Sequence, residues 1–289
     1  MARSAGWPSS RSSKRRKQGD LGPARAHARE DNDPTAPAFP PGPRDRYGEA
    51  TARLPRVRRE RPTDEPEVPL LACVHGLSGS SRWWSPLVPR VEAAGPVVLL
   101  DLPRSLAPAG LPDWVSARLE HFEPPVDLVG HSLGGLVCAH VAARRPDLVR
   151  RLVLIAPPGV APRSPASYLW PLFVTLGRSR PTLLTRLTAD ALRAGPRNIV
   201  RGGRHAATAD IRASLPAIAA PTLLVWGERD RVVPAVDGPV WRDALVDARL
   251  LLLPRAGHVP MVDAPDDLAD AIVAFREKPL DELGDALGV

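Results

Sequence analysis

The chain has 289 residues, enough for one large domain or two small ones, with 44% hydrophobic residues and 35 prolines. Its formal net charge of +7 is concentrated at the front, where residues 1–65 hold 15 Lys+Arg against 9 Asp+Glu, so the basic pI carries little information about the rest of the chain. No apolar stretch approaches the roughly 18 residues of a membrane helix, and two cysteines cannot build a disulfide framework, which excludes the membrane-spanning and disulfide-scaffold classes.

Residues 1–65 contain the run S-S-K-R-R-K-Q, repeated prolines and few large apolar side chains, too little apolar surface to offset the entropy of ordering. They are expected to form a disordered basic tail. Its charge is read as that of a solvated segment, with a nucleic-acid partner as the weaker reading. No apolar h-region follows the early arginines, so no secretory signal is expected and a cytoplasmic location is the default.

From residue 66 short apolar runs alternate with helical patterns. V-P-L-L-A-C-V (68–74) leads to a helix near 83–94, V-V-L-L-D (97–101) to a helix near 112–122, and Val126–Val129 to a helix beginning at Leu133. R-L-V-L-I-A (151–156) closes this first part. T-L-L-V-W-G (222–227), a helix near 239–246, R-L-L-L-L-P (249–254) and a helix over about 265–277 form the second. Continuous apolar strands separated by helices predict an α/β fold, a mostly parallel sheet with helices on both faces. Residues 157–215 break the rhythm with proline-punctuated helical segments and no strand run, as expected of a helical cap inserted over the carboxyl edge of the sheet. The expected plan is tail 1–65, core 66–156, cap 157–215, core 216–279 and a short C-terminal tail 280–289. Cys73 falls in a strand run and Cys138 in a helix, which predicts two buried thiols; neither has metal-ligand spacing.

The residues that point to chemistry begin with D-L-V-G-H-S-L-G-G (127–135). Ser132 stands between a strand and a helix, where a sharp turn exposes its hydroxyl above the carboxyl edge of the sheet. Gly130 and Gly134 allow the backbone to close around it. A serine hydroxyl is a poor nucleophile near neutral pH and needs an imidazole within reach, itself oriented by a carboxylate. Two histidines lie at strand ends, His75 and His258. His258 follows the last strand run, in L-L-L-L-P-R-A-G-H-V-P, and is the better base. Asp230, in G-E-R-D-R-V-V-P after the preceding strand, is the expected acid, with Glu228 and Asp237 as fallbacks.

Four motifs in order, His75-Gly76, Gly130-His131-Ser132-Leu133-Gly134, Gly227-Glu228-Arg229-Asp230 with Pro234, and Gly257-His258, make residues 68–278 resemble the serine-nucleophile, esterase/thioesterase-like branch of the α/β-hydrolase superfamily. The resemblance implies Ser132 as nucleophile, His258 as base and Asp230 as its orienter. It also implies an oxyanion hole from the backbone N–H groups of Leu77 and Leu133. One departure is D-L-P-R-S-L-A from Asp101, where many relatives have a glycine-rich loop.

The expected reaction is hydrolysis of a carboxylic ester or thioester through an acyl-enzyme on Ser132, with no cofactor and no metal. Carbon–carbon cleavage, peroxide-dependent chemistry or ligand binding on the same fold are the alternatives. Trp83 and Trp84 are candidates to line an acyl pocket, closed from the cap by Trp170 and Phe173. Nine arginines against Asp190 and Asp210 in residues 157–215 are read as a solvated helical surface, with an anionic or carrier-bound substrate as the weaker reading.

Overall fold

The computed structural model describes residues 68–166, 189–278 and 280–283. Six parallel strands form one sheet in the order β2-β1-β3-β4-β5-β6. They are β1 (Leu71–Val74), β2 (Val97–Leu100), β3 (Val126–His131), β4 (Val149–Ile155), β5 (Thr222–Gly227) and β6 (Ala248–Leu253). The strands read as unbroken apolar runs because both sheet faces are covered, and the two-residue side-chain period splits each run between two cores. Ala72, Leu128, Leu152 and Leu224 face one, and Cys73, Val129, Val153 and Val225 the other.

Helices α2 (Leu111–Leu119), α3 (Leu133–Arg144) and, later in the chain, α5 (Asp237–Ala244) cover the first face. Helices α1 (Val88–Ala93) and α7 (Pro265–Glu277) cover the second, and α6 (Pro260–Asp263) is a short turn leading into α7. Each fully buried leucine contributes about 1.5–3 kcal/mol relative to exposure. Both cysteines are buried free thiols, and burial drives the Cys73 thiol up to about 12. The sequence predicts one helix near 83–94. The chain instead forms a 3₁₀ turn (Ser81–Trp84) and then α1, because Pro86 and Pro89 withhold the N–H groups a continuous helix would need.

At the amino end of the sheet Asp127, 1% exposed, takes a two-pronged guanidinium from Arg150 at 2.8 and 2.7 Å and the Nε–H of Arg276 at 2.9 Å. This buried cluster ties α7 to β3, and removing one partner of such a group typically costs about 3–5 kcal/mol.

Two features position the site at the other end. From β1 the chain first steps to β2 and then crosses to β3 on the far side of β1, so the loops after β1 and β3 diverge and leave a crevice between them. The residues between β4 and β5 form no strand among those described, and they carry α4 (Pro196–Thr208). A Cβ at Gly202 of α4 would collide with the Leu77 side chain in the loop after β1, so this helix lies directly over that crevice. No helix among the described residues is long and apolar enough to cross a membrane.

Candidate active site

Ser132 is the residue between β3 and α3, with φ +52° and ψ −121°, a left-handed conformation that a side chain rarely adopts. Close packing of glycines maintains this turn. A Cβ on Gly134 would lie 2.6 Å from the carbonyl oxygen of Val74 and closer still to that of His75, both main-chain atoms that cannot move aside. A Cβ on Gly76 would lie 3.1 Å from the Cβ of Ser132. The missing side chains let the end of β1, the loop after it and the start of α3 meet at the serine.

The Ser132 Oγ lies 3.0 Å from the Nε2 of His258, and the Nδ1 of His258 lies 2.7 Å from the Oδ2 of Asp230. Because a carboxylate only accepts, Nδ1 carries the proton and Nε2 is left to accept the hydroxyl hydrogen. Asp230 is itself fixed: its Oδ1 accepts the N–H groups of Val232 at 2.8 Å and Val233 at 3.0 Å. All three side chains are buried, at 3%, 6% and 6% exposure for Ser132, Asp230 and His258. The other candidate acids go elsewhere. Asp237 holds Arg163 in a two-pronged pair at 2.8 and 2.7 Å, and Glu228 is exposed.

The second histidine at a strand end, His75, does not face the serine. Its Nδ1–H donates to the Gly76 carbonyl at 2.8 Å and its Nε2 accepts the N–H of Leu102 at 3.0 Å, which ties the loop after β1 to the loop after β2. Burial lowers its pKa and keeps it neutral. His131 also turns away, and donates from Nε2 to the His258 carbonyl at 2.7 Å. Burial, with the neighbouring His258 ring adding to it, pushes His131 down to about 3.

Leu133 opens α3, so its N–H precedes the first intrahelical bond. Leu77 lies in the tight turn closed by the N–H of Gly79 on the Gly76 carbonyl at 3.1 Å, with Ser78 at φ +54°. Leu77 and Leu133 border a cavity of about 70 Å³ beneath α4, whose wall includes Ala194, Asn198 and Gly202. Beyond His75 and Arg104 a second cavity of about 480 Å³ has Arg82, Asp101, Asp190 and Arg193 in its wall beside Leu102 and Pro103.

The tryptophans separate. Trp84, 1% exposed, packs among Leu71, Leu87 and Ile272 in the core on the α1 and α7 face of the sheet, so it lines neither of these cavities. Trp83 belongs to the same core and also lines neither cavity, but its ring centroid lies 6.1 Å from that of His131. Trp170 and Phe173 lie outside the described residues. Of the arginines between β4 and β5, Arg163, Arg193 and Arg212 are paired with Asp237, Asp190 and Asp210. Arg197, Arg201 and Arg204 are exposed on one face of α4 at helical spacing. The sequence reading missed the role of Asp190, which is 2% exposed. A signal was available: it is one of two acids in a segment with nine arginines, where a retained carboxylate implies a specific partner.

A profile of the alpha/beta hydrolase family matches residues 71–271. Among curated proteins, a pimeloyl-[acyl-carrier protein] methyl ester esterase of Xanthomonas oryzae pv. oryzae is 31% identical over 244 residues, 72% of this chain and 94% of that protein. The enzyme of the same name from Neisseria meningitidis serogroup A is 28% identical over 258 residues, 78% of this chain and 83% of that protein. Among solved structures, a bacterial membrane phospholipase A described as a virulence factor superposes with a TM-score of 0.62 at 28% identity, over 72% of this chain and 78% of that one. A profile match over most of the folded chain and a six-stranded parallel sheet with an elbow at Ser132 place this protein in the alpha/beta hydrolase family.

Proposed function

We propose that the protein is a serine hydrolase that cleaves a carboxylic ester or thioester through an acyl-enzyme on Ser132. The observation that carries this reading is the continuous hydrogen-bonded line from Ser132 through His258 to Asp230, at 3.0 and 2.7 Å, starting from a strained turn. His258 accepts the hydroxyl proton as Ser132 attacks the acyl carbon, and Asp230 stabilises the imidazolium that forms. The N–H groups of Leu77 and Leu133 bind the oxyanion; removing one such donor typically costs about 10²–10³-fold in turnover. The imidazolium then protonates the leaving alcohol or thiol, and water, deprotonated by the same His258, releases the acid.

The similarity to esterases that act on an acyl-carrier-protein ester supports a carrier-bound or otherwise anionic ester as the substrate class. The exposed arginines 197, 201 and 204 on α4, of which Arg201 borders the cavity, agree with it. The test is hydrolysis of short p-nitrophenyl esters by the purified chain, with Ser132→Ala as the comparison and fluorophosphonate labelling read by peptide mass spectrometry. The expected result is label on Ser132 alone and a loss of several orders of magnitude in the variant. A variant that retains half of the wild-type rate would overturn the assignment.

A further inference from the structure

The segment between β4 and β5 reaches the loop after β1 through a buried carboxylate. Asp190 belongs to the helical residues 189–194 and is 2% exposed. Its Oδ2 accepts the Ser80 hydroxyl and the Trp83 indole N–H, each at 3.0 Å, and its Oδ1 accepts Arg193 at 3.0 Å. Ser80 and Trp83 are separated from Asp190 by more than 100 residues and directly follow the turn that carries the Leu77 N–H. A carboxylate taken out of water is costly unless every lone pair is used. This one is satisfied only while the inserted segment sits down on Ser80 and Trp83.

The node also leads toward His258. The Trp83 ring faces His131, whose own ring centroid is 5.0 Å from that of His258 and whose Nε2–H holds the His258 carbonyl. On its other side the 3₁₀ turn is held by Asp101, which accepts the Ser81 N–H at 2.6 Å and the Ser81 hydroxyl at 3.1 Å. Asp101 directly follows β2 and is 59% exposed, whereas Asp190 is the buried carboxylate that holds this turn.

We infer that Asp190 is a positioning residue that anchors the turn beside the proposed oxyanion loop and, through Trp83 and His131, the backbone at His258. This rests on the serine-hydrolase reading above. With Asp190 in place the turn that follows Leu77 is held by the Ser80 hydroxyl and the Trp83 indole N–H, and the rings behind His258 are packed; without its carboxylate both donors lose their acceptor.

The test uses the full chain with a neutral p-nitrophenyl ester and four variants: Asp190→Ala, Trp83→Phe, the double variant, and Asp210→Asn. Asp210 is the other acid of the segment; it is exposed and paired with Arg212 away from the node. Trp83→Phe keeps an aromatic ring on the His131 side and removes the indole donor along with part of the buried ring volume. The expected result is a fall in kcat of about 10- to 100-fold for each single variant, the range of a lost hydrogen bond to a charged group, with KM changed less than about 3-fold. The double variant should be no slower than the slower single, because both break one node. Asp210→Asn should match wild type. Unchanged kcat in Trp83→Phe, additive losses in the double variant, or a rise in KM at constant kcat would overturn the inference, whatever happens to the melting temperature. If Asp190→Ala does not fold, Ser80→Ala replaces it in the same comparison. Loss of the coupling with Ser132→Ala still inactive would remove this inference alone, whereas an active Ser132→Ala would remove the reading beneath it.

Discussion

Replacing Asp230 with Asn leaves the shape of the side chain unchanged and inverts one hydrogen bond. The Oδ1 of Asp230 accepts two backbone N–H groups, from Val232 and Val233, so in the variant the amide oxygen is held at that position and the NH₂ group must take the place of Oδ2. That places a donor 2.7 Å from the Nδ1 of His258, which can respond only by losing its proton there and carrying it on Nε2. The Nε2–H then points at the Ser132 Oγ, and the lone pair that should receive the hydroxyl proton is gone. The same tautomer change in a serine protease lowers kcat about 10⁴-fold, equivalent to about 5.4 kcal/mol of barrier. The two valine bonds that fix the amide leave this site no route to flip it, so a loss of that size is expected here. Single-turnover acylation with a p-nitrophenyl ester, run with a circular-dichroism melt to check folding, measures it. A folded Asp230→Asn protein within about tenfold of wild type would refute both the proton assignment and the role of Asp230.

Two further outcomes follow from charge. His131 has its pKa lowered by burial to about 3, while in the unfolded chain it has the ordinary histidine value near 6.5. The unfolded state therefore takes up a proton that the folded state refuses. This contribution to stability is intact above about pH 6.5 and is lost as pH falls toward 3, by up to about 1.4 kcal/mol per pH unit. The lowered pKa of His75 acts in the same direction. Urea unfolding at pH 7 and pH 4.5 should show the drop, and His131→Gln should make it shallower; equal slopes in the two proteins would contradict the assignment. The second outcome concerns α4. Replacing Arg197, Arg201 and Arg204 with Gln should raise KM for a carrier-bound or carboxylate-bearing ester about tenfold at low salt and flatten its salt dependence, because exposed charges act through a field screened within about 10 Å at 0.1 M salt. Kinetics on a neutral ester are the control and should stay within twofold; a parallel change in both substrates would show that the helix was loosened.

What the sequence made legible were the features with a local cause. T-L-L-V-W-G marks β5 at its observed bounds, and the helix expected at 265–277 coincides with α7, because apolar runs between turn residues and an amphipathic repeat are encoded by neighbours in the chain. The Ser132 turn was legible because Gly130 records a crowding against Gly134, Gly135 and Cys138 within a few residues, although Gly134 owes its lack of a side chain to the distant Val74 and His75 carbonyls. The single helix expected near 83–94 was a misjudgement of Pro86 and Pro89, whose local signal was present. Features that depend on distant partners were opaque. Nothing near Asp190 announces Ser80 and Trp83, nothing near Asp127 announces Arg276, and the difference between Trp83 and Trp84, which share one core, depends on Trp83 meeting Asp190 and His131. The segment holding Trp170, Phe173, Arg178, Arg180 and Arg186 lies outside the described residues.

The strand order also determines when in the life of the chain this chemistry can begin. The proposed oxyanion loop and the Ser132 turn follow β1 and β3, whereas the proposed base hangs from the loop after β6, which among the described residues is an edge strand paired with β5. Ser132 and His258 are 126 residues apart. At a synthesis rate of roughly 5–20 residues per second, the serine is made roughly 6–25 s before its base exists. During that interval the nascent chain carries Ser132 without the imidazole proposed to accept its proton. A ribosome-bound chain arrested before residue 258 should therefore react with neither esters nor fluorophosphonates, so that newly made protein acquires its reactivity in one step, when its last strand has paired.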